Sequence, residues 1–239
     1  MSRSEEKGPL SQNDYWEVSH AAGRVTSYAC SVSARHIQDG ALRLQFNREV
    51  AYYMRGIVRD VESGEKSVKQ GLKQILEERR SLINQSQQVV GLAAGILQVT
   101  GGAAMCVGSV GALCAAGVFT AAHGMNNIYE NGNNLWEHKT DTTGPVRRSY
   151  QRAAALVGGN ESDGNIIYGA IDIGLSGFSA FRKVPKPGAW RLWKYLDADL
   201  VRTYRLASKP TLVIDAAATQ ITTNSLWGEL EKRMNAHEQ

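Results

Sequence analysis

Apolar residues recur at steps of three and four through the N-terminal third of the chain. Tyr15, Val18, Ala22, Val25, Ala29, Val32 and His36 form one heptad-like seam, the period of a helix with one face turned to a core. Asp39-Gly40 reads as the punctuation that closes this run. Leu42, Phe46, Tyr53, Ile57 and Val61 carry the period to Ser63-Gly64, and Val68, Leu72, Ile75 and Leu82 resume it from about Glu65. The expectation is a set of amphipathic helices over residues 1–84, packed as in a helical bundle.

The pattern then changes. From Ser81 to Tyr129 there is no Asp, Glu, Lys or Arg, and Val89–Ala122 is dominated by Gly, Ala and aliphatic residues. Within it only Gln98, Thr100, Ser109 and Thr120 carry a hydroxyl or amide side chain. A bend at Gly101-Gly102 would give a hairpin with arms of 12 and 20 residues, the second matching the roughly 20 apolar residues that cross a bilayer. Small residues recur every fourth position: Gly91 and Gly95, then Gly108, Ala112, Ala116 and Thr120. That spacing lets helix backbones approach closely, in lipid or in a buried core. The fold expected is all-α, a helical bundle around a central glycine-rich apolar hairpin.

Over 239 residues the net charge is +4, too small an excess to imply a nucleic-acid partner. The start, MSRSEEKGPLSQND, has no apolar core and no cleavage site of a secretory signal. Cys106 and Cys114 are eight apart, about 12 Å along one straight helix and too far for a disulfide. With Cys30 they read as thiols of a reducing compartment. No dinucleotide, phosphate-loop, nucleophile-elbow or zinc motif occurs, so no cofactor and no metal are expected.

The apolar stretch ends in HGMNNIYENG. On a continuing helix His123, Asn127, Glu130 and Asn134 share one face. Such a stripe fits a hydrogen-bonded network that fixes packing, an ion path, or an acid–base pair. His and Glu seven apart are not zinc ligands of one helix, and no nucleophile adjoins them. Thr142–Pro145 reads as a linker, and Arg147, Arg148 and Arg152 open a short helix that ends at Gly158-Gly159-Asn160. Ile166–Phe181 is a second apolar segment broken only by Asp172, which needs a partner such as His123 or Arg182. AWRLWKYLDADLVRTYRL predicts a helix over 189–206 with Trp190 and Trp193 near one face and basic residues on others. It suits either a membrane surface or a core.

GLAAGILQVTGGAAM and HGMNNIYENG, with Tyr168–Asp172, Ser176, AWRLWKYL and Asp199, resemble the DUF4225 family of bacterial domains over about residues 85–210. Residues 211–239 are then a helical tail. The resemblance makes His123, Asn126, Asn127, Tyr129, Glu130 and Asn131 the signature positions. It implies an antibacterial effector of type VI secretion systems or polymorphic toxins, with a membrane-associated immunity protein and a delivery component as partners. A chain of this kind stays in the producer's cytoplasm, leaves without a signal peptide and acts at the target's inner membrane. The leading expectation is a non-enzymatic pore, assembled from copies in lipid, that depolarises that membrane. A toxin hydrolase or nuclease using His123, Glu130 and Asp172 is the alternative, and a non-toxic structural membrane protein a third.

Overall fold

Seven α-helices carry nearly all regular structure among residues 11–108, 113–189 and 197–237, which the computed structural model describes. The protein is all-α, a helical bundle with one long apolar helix. It divides into two compact units, Met1–Ser86 and Gln87–Gln239.

In the first unit, Ser11 caps α1 (Gln12–His36) by accepting the Asp14 N–H at 3.1 Å. Asp39 does not close that helix. It opens α2 (Gly40–Glu62) by accepting the Leu42 N–H at 2.7 Å, because a carboxylate satisfies donors that the first turn leaves free. The core joins Val18, Ala22 and Val25 of α1 to Met54, Ile57 and Val61 of α2 and to Ile75 of the helix that follows. The α1 seam drifts at its end, where Ser33 is buried in place of Val32 and donates to Asn47 Oδ1 at 2.7 Å.

Helix α3 runs unbroken from Val68 to Gly108. The bend expected at Gly101-Gly102 is therefore absent. The break follows Gly108, and α4 (Cys114–Glu137) begins beyond it. Residues 109–112, with Ala112, lie outside the described residues. Glycine costs an isolated helix about 1 kcal/mol, but here the missing side chains admit a second backbone. Gly102 faces Gly117 and Gly95 faces Gly124, so α3 and α4 form an antiparallel hairpin. The break also overturns the reading of the cysteines. Cys106 and Cys114 lie on different helices with Cα atoms 4.0 Å apart and form a disulfide, whereas Cys30 is free.

Gly144 and Pro145 start α5 (Pro145–Leu156). Asn160 and Asp163 form a reciprocal capping box on α6 (Glu161–Phe181). Helix α7 (Lys209–His237) packs along α6, with Leu226 and Thr222 over Gly169. Ser162 donates to Glu229 Oε2 at 2.6 Å, and Arg233 pairs with Asp163 at 2.8 Å. The helix expected over 189–206 is corrected over its second half. Leu200–Arg202 (β2) pairs antiparallel with Lys183–Pro185 (β1), Val184 opposite Val201. Gly188, at φ 79°, turns the chain in a conformation that favours glycine, and the β-branched pair suits a strand. Trp190 and Trp193 fall outside the described residues.

Candidate functional site

The inner face of α4 alternates small and polar groups. Gly117, Thr120, His123, Gly124, Asn126, Glu130 and Asn134 are all buried. The glycines meet α3, Thr120 bonds the Ala116 carbonyl of its own helix, and His123, Asn126, Glu130 and Asn134 meet α5, α6 or the linker before α5.

Asn126, Glu130 and Asn134 recur every fourth residue and hold that linker. Asn134 Oδ1 accepts the Thr142 N–H at 3.1 Å, Glu130 Oε1 the Gly144 N–H at 2.7 Å, and Asn126 Oδ1 the Val146 N–H at 2.9 Å. Three side chains on one helix thus satisfy three backbone donors of a chain running the opposite way. Unpaired and buried, each donor would cost about 1–3 kcal/mol. A side chain at Gly144 would collide with the Asn126 amide, so glycine is required there.

Glu130 has further partners. Arg147 Nε donates to Oε1 at 2.8 Å and Nη2 to Oε2 at 2.7 Å, and Asn126 Nδ2 adds a bond to Oε1 at 2.8 Å. Burial alone would lower the Arg147 pKa, but the hydrogen bonds and charge of Glu130 outweigh it and hold it above its ordinary value.

A second cluster surrounds His123, which is fully buried. Its ring stacks on Tyr168 with centroids 4.7 Å apart and planes 7° apart. The Arg147 guanidinium sits 4.5 Å from the Tyr168 centroid, a cation–π contact. His123 Nε2 is 3.1 Å from the Tyr150 hydroxyl, and Nδ1 is 3.4 Å from Asp172 Oδ1 without forming a hydrogen bond. Gln98 of α3 donates to Asp172 Oδ1 at 2.9 Å and accepts from Asn127 Nδ2 at 2.8 Å. The Tyr168 hydroxyl donates to Asn127 Oδ1 at 3.0 Å and accepts from Asn126 Nδ2 at 3.1 Å. Burial, then the charges of Asp172 and Glu130, raise the Tyr168 pKa far above its ordinary value, and burial with Asp172 raises that of Tyr150.

The structure therefore joins His123, Asn126, Asn127, Glu130 and Asp172 in one network. His123, Asn127 and Glu130 do not bond to one another directly; Tyr168 and Asn126 connect them. Tyr129 is exposed and outside the network. Asn131 bonds the Asn127 carbonyl at 2.8 Å and packs against Gly91. Asp172 faces His123 rather than Arg182, which makes no ion pair among the described residues. Sequence reasoning missed Arg147, Tyr150 and Tyr168 as network members. Tyr168 stands four residues before Asp172, and Gln98 is the lone amide of the apolar stretch; both were legible signals.

Over residues 60–208 the chain matches the family described as Protein of unknown function (DUF4225). It belongs to that family. The match spans the hairpin, the linker, α5, α6 and the strand pair, so every group of the network lies within the family region. No curated protein and no solved structure shows significant similarity to the chain.

Proposed function

We propose that the protein is an antibacterial effector whose α3–α4 hairpin enters the inner membrane of a target bacterium and depolarises it as a pore. The observation that carries this reading is α3. Val68–Val107 is long and apolar enough to cross a membrane, yet only 22% of its most apolar window is buried. Ile96, Val107, Val118, Phe119 and Met125 are exposed on the hairpin. Its inner surface is closed by glycine contacts, and its helical backbone is internally hydrogen-bonded. Such a hairpin can exchange water for lipid without losing backbone bonds. In this reading copies assemble in the target membrane, a membrane-associated immunity protein protects the producer, and a type VI component delivers the chain.

Ile96→Arg tests it. Ile96 is 50% exposed, so arginine is tolerated in water, whereas mid-bilayer it costs about 2.5–3.5 kcal/mol. Wild-type chain should collapse a potassium-diffusion potential in vesicles and in expressing bacteria, and folded Ile96→Arg should not. Equal depolarisation by both proteins would show that the hairpin stays out of lipid.

One observation favours a toxin hydrolase or nuclease instead: His123 lies between the Asp172 carboxylate and the Tyr150 hydroxyl, an acid–base–hydroxyl line. Sealed vesicles together with degraded lipid or nucleic acid would support that reading.

A further inference from the structure

The first unit carries a cavity of about 470 Å³ lined by His20, Gly23, Arg24, Ser27, Tyr28 and Arg79. His20, Arg24 and Tyr28 repeat every fourth residue along α1 and so share a face. Arg79 comes to the same cavity from α3. No carboxylate lines it. Arg24 and Arg79 have neither an ion pair nor a hydrogen bond among the described residues, although Arg79 is half-buried. Two guanidiniums lining one cavity with no carboxylate among its lining residues make its charge positive.

The surroundings fit an anion rather than a cation. His20 is held by stacking on Trp16, with centroids 4.9 Å apart and planes 9° apart, a contact through the ring face that leaves both nitrogens available. The Tyr28 hydroxyl is anchored 3.1 Å from Ser86 Oγ. Gly23, which also lines the cavity, has nothing within 4 Å of where a side chain would project, so a larger residue there would have room to occupy it.

We infer that this cavity binds a phosphate group, with Arg24 and Arg79 as bidentate donors and Ser27 and His20 completing the set. The phosphate belongs either to a small soluble ligand or to a phospholipid headgroup. The inference does not depend on the hairpin entering lipid.

Calorimetric titration of the full-length chain with inorganic phosphate reads the first source. Sedimentation with phosphatidylglycerol vesicles against phosphatidylcholine vesicles reads the second. Two variants accompany both: Arg24→Gln with Arg79→Gln, which removes the charge, and Gly23→Leu, which fills the space and keeps it. Circular dichroism melts verify that each is folded. Phosphate binding weakened at least tenfold in both variants assigns the site to a soluble ligand. Vesicle binding that requires phosphatidylglycerol and drops as much in both variants assigns it to a headgroup. No binding of either probe, or binding unchanged in the folded variants, overturns the proposal.

Discussion

Gly102 of α3 and Gly117 of α4 oppose each other so closely that a side chain on either would collide with the carbonyl oxygen of the other. Gly101, one residue away, has nothing within 4 Å. The two neighbours share composition and local propensity, yet only one supports the hairpin. Gly102→Ala should destabilise the second unit by about 1–3 kcal/mol, the cost of overpacking. Gly101→Ala should stabilise the helix by about 0.5–1 kcal/mol, because alanine loses less backbone entropy. Urea unfolding of both variants provides the check, and a similar loss in both would mean that the crossing does not depend on Gly102.

Glu130 and Arg147 form a buried pair whose side chains are 7% and 27% exposed. Such a pair contributes little relative to apolar residues of equal volume, but leaving one partner alone is costly. Glu130→Gln turns an amide N–H toward donors of Arg147 or Asn126, and should cost about 3 kcal/mol. Arg147→Met leaves the carboxylate buried and should cost a similar amount. The double variant should lose less than the sum of the two, by about 1–3 kcal/mol of coupling. Strict additivity in denaturant titrations would show that the two side chains act independently.

Tyr168 and Tyr150 keep their protons above the ordinary tyrosine value of 10.0. The unfolded chain releases them at that ordinary value, so above it the native state holds more protons than the unfolded state. Stability is then fully present below pH 10 and falls as pH rises further, with a limiting slope of about 1.4 kcal/mol per pH unit for each group. Unfolding free energies should be compared between pH 8 and 11.5. Tyr168→Phe should start lower, having lost bonds to Asn126 and Asn127, and should fall less steeply. Parallel wild-type and variant curves would exclude Tyr168 as a source of the alkaline loss.

The helices were legible wherever one face met one core. The Val18–Ala29 seam needed only periodicity, because burial of one stripe imposes it, whereas in the Leu42–Val61 run only Ile57 and Val61 are buried, Leu42 and Tyr53 are exposed, and Met54 takes the buried place beside Tyr53. What escaped was decided by contacts distant in sequence. Gly101 and Gly102 look alike until α4 approaches, so the turn was expected at the wrong glycines. Asp39 can end one helix or begin the next, and the Leu42 N–H settles which. The polar stripe on α4 was visible as a helical face, but its partners at Tyr150, Tyr168 and the 142–146 linker come from tertiary packing. Val201 reads as helical in a run of Leu, Trp and Tyr, and becomes a strand residue because it pairs with Val184, a partner outside that run.

The Cys106–Cys114 bridge closes the hairpin at its tip across a sequence separation of 8. A cross-link restricts the unfolded chain, and for so short a loop the entropic account predicts about 2.5 kcal/mol of stabilisation. Dithiothreitol should therefore lower the unfolding free energy of the wild-type chain by that amount and leave Cys106→Ser with Cys114→Ser unaffected. Thiol titration of the unfolded chain should count Cys30 alone before reduction and all three cysteines after it. Only the tip is released by reduction, since the Gly95–Gly124 contact lies further down the hairpin. Circular dichroism should accordingly retain the helical signal at 25 °C while the midpoint of unfolding moves. An unchanged midpoint after complete reduction would mean that the turn stays closed by helix packing alone, with the bridge adding nothing to it.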